Sequence, residues 1–149
     1  MSLHPNSELV TVAWLKSAVP YLGNRVATVL PQDNTSWSAS GFTTVMSVGG
    51  TPNNYVGWRN PVMSVDCWGV ATSSGKPPWN LAAQMAEEVR AAVLDHPTVG
   101  RAVTMPTGYL GARVGSVWLR SEPERRPGDV AGYAHYQLDI ELLWTEVPA

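Results

Sequence analysis

The stretch YAHYQLDIELLW, Tyr133 to Trp144, alternates with a period of two. Ala134, Tyr136, Leu138, Ile140, Leu142 and Trp144 fall on one side. Tyr133, His135, Gln137, Asp139, Glu141 and Leu143 fall on the other. Successive strand side chains point to opposite faces, so the first set meets a core and the second, mostly polar, meets water. That is the pattern of a half-buried antiparallel strand.

Working outward, the clearest helix runs from Trp79 to Leu94. Leu81, Met85, Val89, Ala92 and Val93 form its apolar stripe, and Pro77-Pro78 precede it. SELVTVAWLKSAVP, residues 7–20, reads as an earlier helix with Ser7 able to cap, Glu8 at the positive dipole end and Pro20 at the exit. RVATVLP (25–31), FTTVMSV (42–48), VMSVDCWGVA (62–71) and GSVWLRSE (115–122) read as strands. In the second of these, Phe42, Thr44, Met46 and Val48 share a side. GGTPNNYVGWRNP (49–61) is turn chemistry at nearly every position, and SEPERRPGD (121–129) is a charged turn. A Gly-spotted loop precedes the last of these strands, and TGYLGARVGS (107–116) is left unassigned. The order α-β-β-β-α-β-β predicts an α+β fold with a mixed or antiparallel sheet of about four to five strands and two helices on one face. One domain spanning residues 1–149 accounts for the whole length.

Composition narrows function by exclusion. The formal net charge is −2, so the basic excess of a general duplex-DNA binder is missing. Eight of the ten basic residues are arginine, which suits protein contacts better than lysine does. A single cysteine excludes an internal disulfide, a thiolate zinc cage and Cys-x-x-Cys redox chemistry. It fits a reducing compartment such as a cytoplasm. No run reaches the ~18 unbroken apolar residues of a membrane span, and MSLHPNSELV lacks the pattern of a signal peptide. Seven tryptophans imply a core or interfaces built on large rings.

The one place that resembles a reactive centre is PVMSVDCWG, Pro61 to Gly69. Asp66 and Cys67 are strand neighbours and point to opposite faces, so they do not act on one atom. With Met63, Val65 and Cys67 inward, Cys67 is a small buried filler and Asp66 faces outward beside Ser64 and Trp68. No histidine base reaches the thiol: His4 lies in a tail, His96 at a helix end and His135 on the polar side of the last strand. GVATSSGKPP fails as a phosphate loop, because five residues separate Gly69 from Gly75-Lys76 and Pro77 replaces the magnesium-binding hydroxyl. No motif or spacing marks a catalytic, cofactor or metal site, so an enzyme is not expected.

The loops carry more information. Tyr55, Trp58 and Arg59 sit among glycine, asparagine and proline, and Trp37 sits in a serine-rich loop. Rings and arginine on loops are what interface cores are enriched in. Trp37 and Trp58 either meet a partner or fold back on their own sheet. Glu122, Glu124, Arg125 and Arg126 form either a charged docking loop or a solvated hairpin tip.

Taken in order, the elements resemble a known family. A first helix leads to a strand ending TVLP, then to one running into VGG. The VDCWG strand, Val65 to Gly69, then precedes a helix of pattern W-x-L-A-x-x-M-A-x-x-V-x-x-A-V, Trp79 to Val93. Over about residues 8 to 146 this is similar to the tail terminator proteins, also called minor tail or head–tail joining proteins, of bacteriophages with long non-contractile tails. The resemblance implies a small α+β subunit of a homo-hexameric ring that caps the tail tube, ends its polymerisation and offers the head a surface. It implies no cofactor and a place at the tail–neck junction of a virion assembled in the host cytoplasm. The implied partners are further copies of itself, the tail-tube protein, a head-completion or connector protein, and genomic DNA passing without sequence-specific binding.

A closed ring needs two different patches on each protomer. The Gly49–Asn60 loop with Tyr55, Trp58 and Arg59, and the Ser121–Asp129 turn with Glu122, Glu124, Arg125 and Arg126, are the candidates. Asp139 and Glu141 are candidates for a lumen or outer surface. A head-completion or stopper protein, or a tail-tube subunit, is the first alternative. A small ligand-binding or enzymatic α+β domain is the second.

Overall fold

A computed structural model describes residues 2–71, 76–127 and 132–148. The elements run α1 (Ser7–Ala18), β1 (Val26–Ala27), β2 (Phe42–Gly50), β3 (Pro61–Val70), α2 (Trp79–Leu94), α3 (His96–Val99), β4 (Arg101–Val103), β5 (Gly111–Leu119), β6 (Glu124–Arg125) and β7 (Tyr133–Val147). The sheet order is β1-β2-β3-β7-β5-β4, with β6 also on β7. All pairings are antiparallel except β1 with β2, so the sheet is mixed.

The alternating strand is the spine. β7 holds β3 along Tyr133–Glu141 on one side, and β5 and β6 on the other. Ala134, Leu138, Ile140, Leu142 and Trp144 are fully buried. Met63, Val65 and Cys67 of β3 lie on the same inner face, also fully buried. The two long helices cover that face. Met85, Ala86, Val89 and Val93 from α2, with Val10, Val12, Trp14 and Leu15 from α1, share one core cluster with the sheet.

Helix α1 does more than cover. It touches β1 and β2 at one end of the strand order and β4 at the other. The Glu8 carboxylate accepts from the Ser47 amide of β2 at 2.9 Å. At its last turn, the Ser17 hydroxyl accepts from the Arg101 guanidinium of β4 at 3.0 Å. One helix can reach both margins only because the sheet curls around it. The Trp14 indole N–H donates to the Val99 carbonyl at 2.9 Å, fixing the helix against α3.

Several details correct the sequence reading. The sheet has seven strands rather than four to five. The additions β4 and β6 span three and two residues, and β1 shrinks to two, too short for any period to register. Asn6, not Ser7, caps α1 by accepting from the Leu9 amide at 2.8 Å, and the helix stops at Ala18. The inner face of β2 is Thr43 and Val45, paired to Cys67 and Val65. Its more apolar side instead turns outward and leaves Met46 and Val48 about half exposed. Gly111–Ser116 belongs to β5, with a register shift between Val114 and Ser116 at Gly115. Thr72–Gly75 of the connector, and Gly128 and Asp129 of the charged turn, lie outside the described residues.

Gly41 enters β2 at φ +79°, and a Cβ there would sit 2.5 Å from Met85 Cε and 2.8 Å from its Sδ. Gly41→Ala therefore costs at least the ~1–2 kcal/mol of left-handed backbone, plus the displacement of Met85 from the α2 stripe. Urea unfolding checks this; a loss below that range would mean the turn and Met85 give way freely.

Candidate interface site

The hairpin between β2 and β3 closes at Gly50 opposite Pro61. Gly50 takes φ +140°, and a Cβ there would strike the Asn60 carbonyl at 2.6 Å. Only glycine lets the two strands approach so closely before the chain departs into residues 51–60.

The base of this loop is stapled to β7. Arg59 exchanges both backbone hydrogen bonds with Trp144, at 2.7 and 2.9 Å. The Asn60 side chain donates to the Leu142 carbonyl at 2.8 Å, and the Thr145 hydroxyl donates to the Gly57 carbonyl at 3.2 Å. The Arg59 guanidinium lies over the Trp144 ring, 4.9 Å from its centroid. Trp58 packs flat enough on β5 that a Cβ on Gly115 would meet its ring at 2.9 Å.

The tip is shaped by its own side chain. Asn53 Oδ1 accepts from the amides of Tyr55 and Val56 at 2.9 and 3.2 Å, an Asx turn. Tyr55 is 96% exposed and Val56 53% exposed. The result is a finger with a fixed base and a bare aromatic tip. Tyrosine brings a large contact area with few rotors to immobilise, which makes a pre-positioned one a good anchor.

The structure separates the other sequence candidates. Trp37 folds back: it is buried and meets Phe42 and Tyr133 at 6.1 Å each. Trp58 folds back in part, its ring lying on Gly115 while 36% of the residue stays exposed. In the charged turn, Glu124 and Arg125 form β6 against Gln137 and Tyr136, so the segment is not a free tip. Arg125 lies 4.1 Å from the Trp79 ring centroid, Glu122 meets Arg90 at 3.4 Å and Arg126 meets Glu124 at 3.5 Å. Arg126 also donates to the Gln137 side chain at 2.7 Å. These charges already have intramolecular partners, while Tyr55 stands almost wholly in solvent. The finger and the turn are not brought together into one patch by any hydrogen bond or ion pair among the described residues.

The outer sheet face carries a polar row. His135 Nε2 lies 2.6 Å from Asp66 Oδ1, and the imidazole stacks on Trp68 at 3.9 Å between centroids. Ser64 donates to Asp66 and accepts from Gln137. Burial pushes the Asp139 carboxyl up from its ordinary value, and the Asp66 charge adds to this. Glu141 meets Arg120 at 3.3 Å. Cys67 is on the opposite, inner face, where burial pushes its thiol up to about 12. His135 and Asp66 therefore pair with each other across the sheet from the thiol. Among the described residues no group of three or more His, Cys, Asp or Glu can hold a metal ion. No helix among them is long and apolar enough to cross a membrane.

Sequence reasoning placed Tyr55, Trp58 and Arg59 in a loop but missed what fixes them. The available signal was Asn53, whose carbonyl oxygen is suited to an Asx turn. Nothing local marks Asn60 or Thr145 as staples, since their partners lie 82 and 88 residues away.

The fold defines the chain as an α+β domain with a curled mixed sheet and helices on its inner face. One solved structure shares that fold. A chain of the solved "Virion of native gene transfer agent (GTA) particle" matches with TM-score 0.56 and 11% identity, covering 95% of this chain and 100% of its own. A second solved chain reaches TM-score 0.43 at 18% identity, covering 97% of each chain. No family model and no curated protein matches.

Two outcomes follow. The Cys67 thiol is neutral at pH 8, because its pKa lies far above that pH and only the thiolate attacks. An aromatic disulfide reagent should react at least about tenfold faster in urea than with the folded protein; equal rates would place the thiol at the surface. Asn60→Ala removes a finger staple and should cost roughly 0.5–1.5 kcal/mol. Limited proteolysis should then cut first within residues 51–58, and an unchanged cleavage pattern would mean the staple does not hold the finger.

Proposed function

We propose that this chain is a structural virion protein whose copies form a ring capping the end of a phage-type tail tube, where it ends tube growth and presents a surface for head joining. The observation that carries the reading is the likeness over 95% of the chain to a chain of a phage-like virion particle. The order of sequence elements supports the narrower assignment to the tail terminator role. The stapled finger supplies an interface anchor of the kind a ring subunit needs. A single domain over residues 1–149, with no cofactor and no catalytic task, suits that role.

The proposed partners are further copies of the chain, the tail-tube protein and a head-completion protein. The location is the tail–neck junction. Tyr55, Trp58 and Arg59 serve the contact between copies. The turn with Glu122, Glu124, Arg125 and Arg126 is the second candidate patch for that contact. A formal net charge of −2 suits a conduit through which DNA must slide, since a basic lumen would hold the phosphates.

The test is to assemble tail tubes from the tube protein of the same phage with and without this chain, and to measure lengths by electron microscopy. Tubes of bounded length with a distinct terminal ring are expected. Tubes that lengthen by incorporating the chain would make it a tube subunit, and tubes left unaltered would remove the capping role.

A further inference from the structure

The outer face of the sheet holds a carboxyl that its surroundings serve poorly. Asp139 sits on β7 with Ser64 directly across on β3 and Asp66 on the diagonal. Its backbone is well engaged. The amide donates to the Ser121 hydroxyl at 2.9 Å, and the carbonyl accepts from the amides of Arg120 and Ser121 at 2.8 and 3.4 Å. Those two residues lead from β5 towards β6, so Asp139 holds that connection in place. Its side chain fares differently. Oδ1 is buried and has no hydrogen-bond partner among the described residues. A buried carboxylate oxygen without a donor is costly, and taking up a proton removes the charge that makes it so.

The charges around it are mixed. Burial is the largest influence and raises the carboxyl above its ordinary value. Asp66 from β3 and Glu124 from β6 push the same way. Arg126, just past β6, and Arg120, just past β5, push against it. On β7 itself, His135 is paired with Asp66 and Glu141 with Arg120.

We propose that Asp139 is a proton switch for the charged turn. With its proton, the carboxyl rests in its buried slot on the sheet face. Without it, the carboxylate turns out of the slot towards the two guanidiniums that favour its charge. Both are engaged in the first state. Arg126 donates to the Gln137 side chain at 2.7 Å and meets Glu124 at 3.5 Å, and Arg120 meets Glu141 at 3.3 Å. Ionised Asp139 competes with those partners. The strand that would resist is β6, and it is only two residues long. Titration of one carboxyl therefore re-sorts the ion pairs of the turn that carries Glu122, Glu124, Arg125 and Arg126. The device lies within a single copy, so it stands or falls apart from the ring reading.

The direction of its effect on stability follows. The folded carboxyl protonates above its ordinary value, so the stability its proton contributes is fully present below the unfolded-chain value. That contribution is lost as pH rises through the folded value.

Carboxyl-carbon NMR of the purified chain, titrated from about pH 3 to about pH 8, reads the switch. The Asp139 resonance should titrate with a midpoint above that of an ordinary aspartate, and the Arg126 Nε–H should shift with the same midpoint. Asp66→Asn should lower the midpoint and Arg126→Gln should raise it. Asp139→Asn should unfold at higher urea than the wild type near pH 7, and the difference should shrink as the pH falls. An Asp139 midpoint at or below the ordinary value would overturn the switch. So would an Arg126 Nε–H indifferent to the titration. Both readings use the wild-type chain, so they decide the matter even where a variant fails to fold.

Discussion

Trp144 is the tie on which the rest of the structure depends. Its ring is fully buried near the end of β7, its indole N–H donates to the Ser7 hydroxyl at 3.0 Å, and its backbone exchanges two hydrogen bonds with Arg59. One residue therefore joins the central strand, the first turn of α1 and the base of the finger. The Ser7 hydroxyl is free for this because Asn6 takes the capping role. The Arg59 guanidinium then covers the ring from above, so the same contact that seals the core edge also orients the loop. Without it, the finger base would keep the Asn60–Leu142 and Thr145–Gly57 hydrogen bonds but lose its one backbone pairing to β7.

The second constraint is the curl of the sheet. A sheet of this size with short margins leaves unpaired strand edges, which invite pairing with other chains. Here α1 touches both margins, and the Glu8 carboxylate accepts from one β2 amide, that of Ser47.

Periodicity made the centre of the fold legible. The alternation of β7, the stripe of α2 and the inward Met63, Val65 and Cys67 follow from patterns long enough to repeat. At the margins, RVATVLP marked β1 but overstated its length, while β4 and β6 were not legible, because strands of three and two residues show no period. The outward turn of Met46 and Val48 defied the usual reading for a related reason. The β2 register against β3 puts Thr43 opposite Cys67 on the inner face, and the Thr43 hydroxyl lies 3.8 Å from both Cys67 Sγ and Met85 Sδ. At the candidate site, residue types pointed to Tyr55, Trp58 and Arg59. Which of them is presented and which is pinned depends on contacts made more than 80 residues along the chain. The charged turn misled in the opposite way. Its residues look available in sequence, yet β6 pairing and the Arg125–Trp79 contact engage them at home.

The rigidity of the finger bears on how it would bind. Ordering a loop on association costs about 0.5–1.5 kcal/mol for each rotamer-rich side chain immobilised, and backbone ordering adds to that. In this chain the Asx turn and the β7 staples have already ordered the backbone from Asn53 to Asn60 in the free protein. The Tyr55 side chain, with Val56 beside it, is then the main group left to fix when the tip meets a partner. A small contact can then be specific without being strong, because the geometry is set before encounter rather than by it. That combination suits a subunit that must remain separate until a template or a closing ring brings several contacts into play at once.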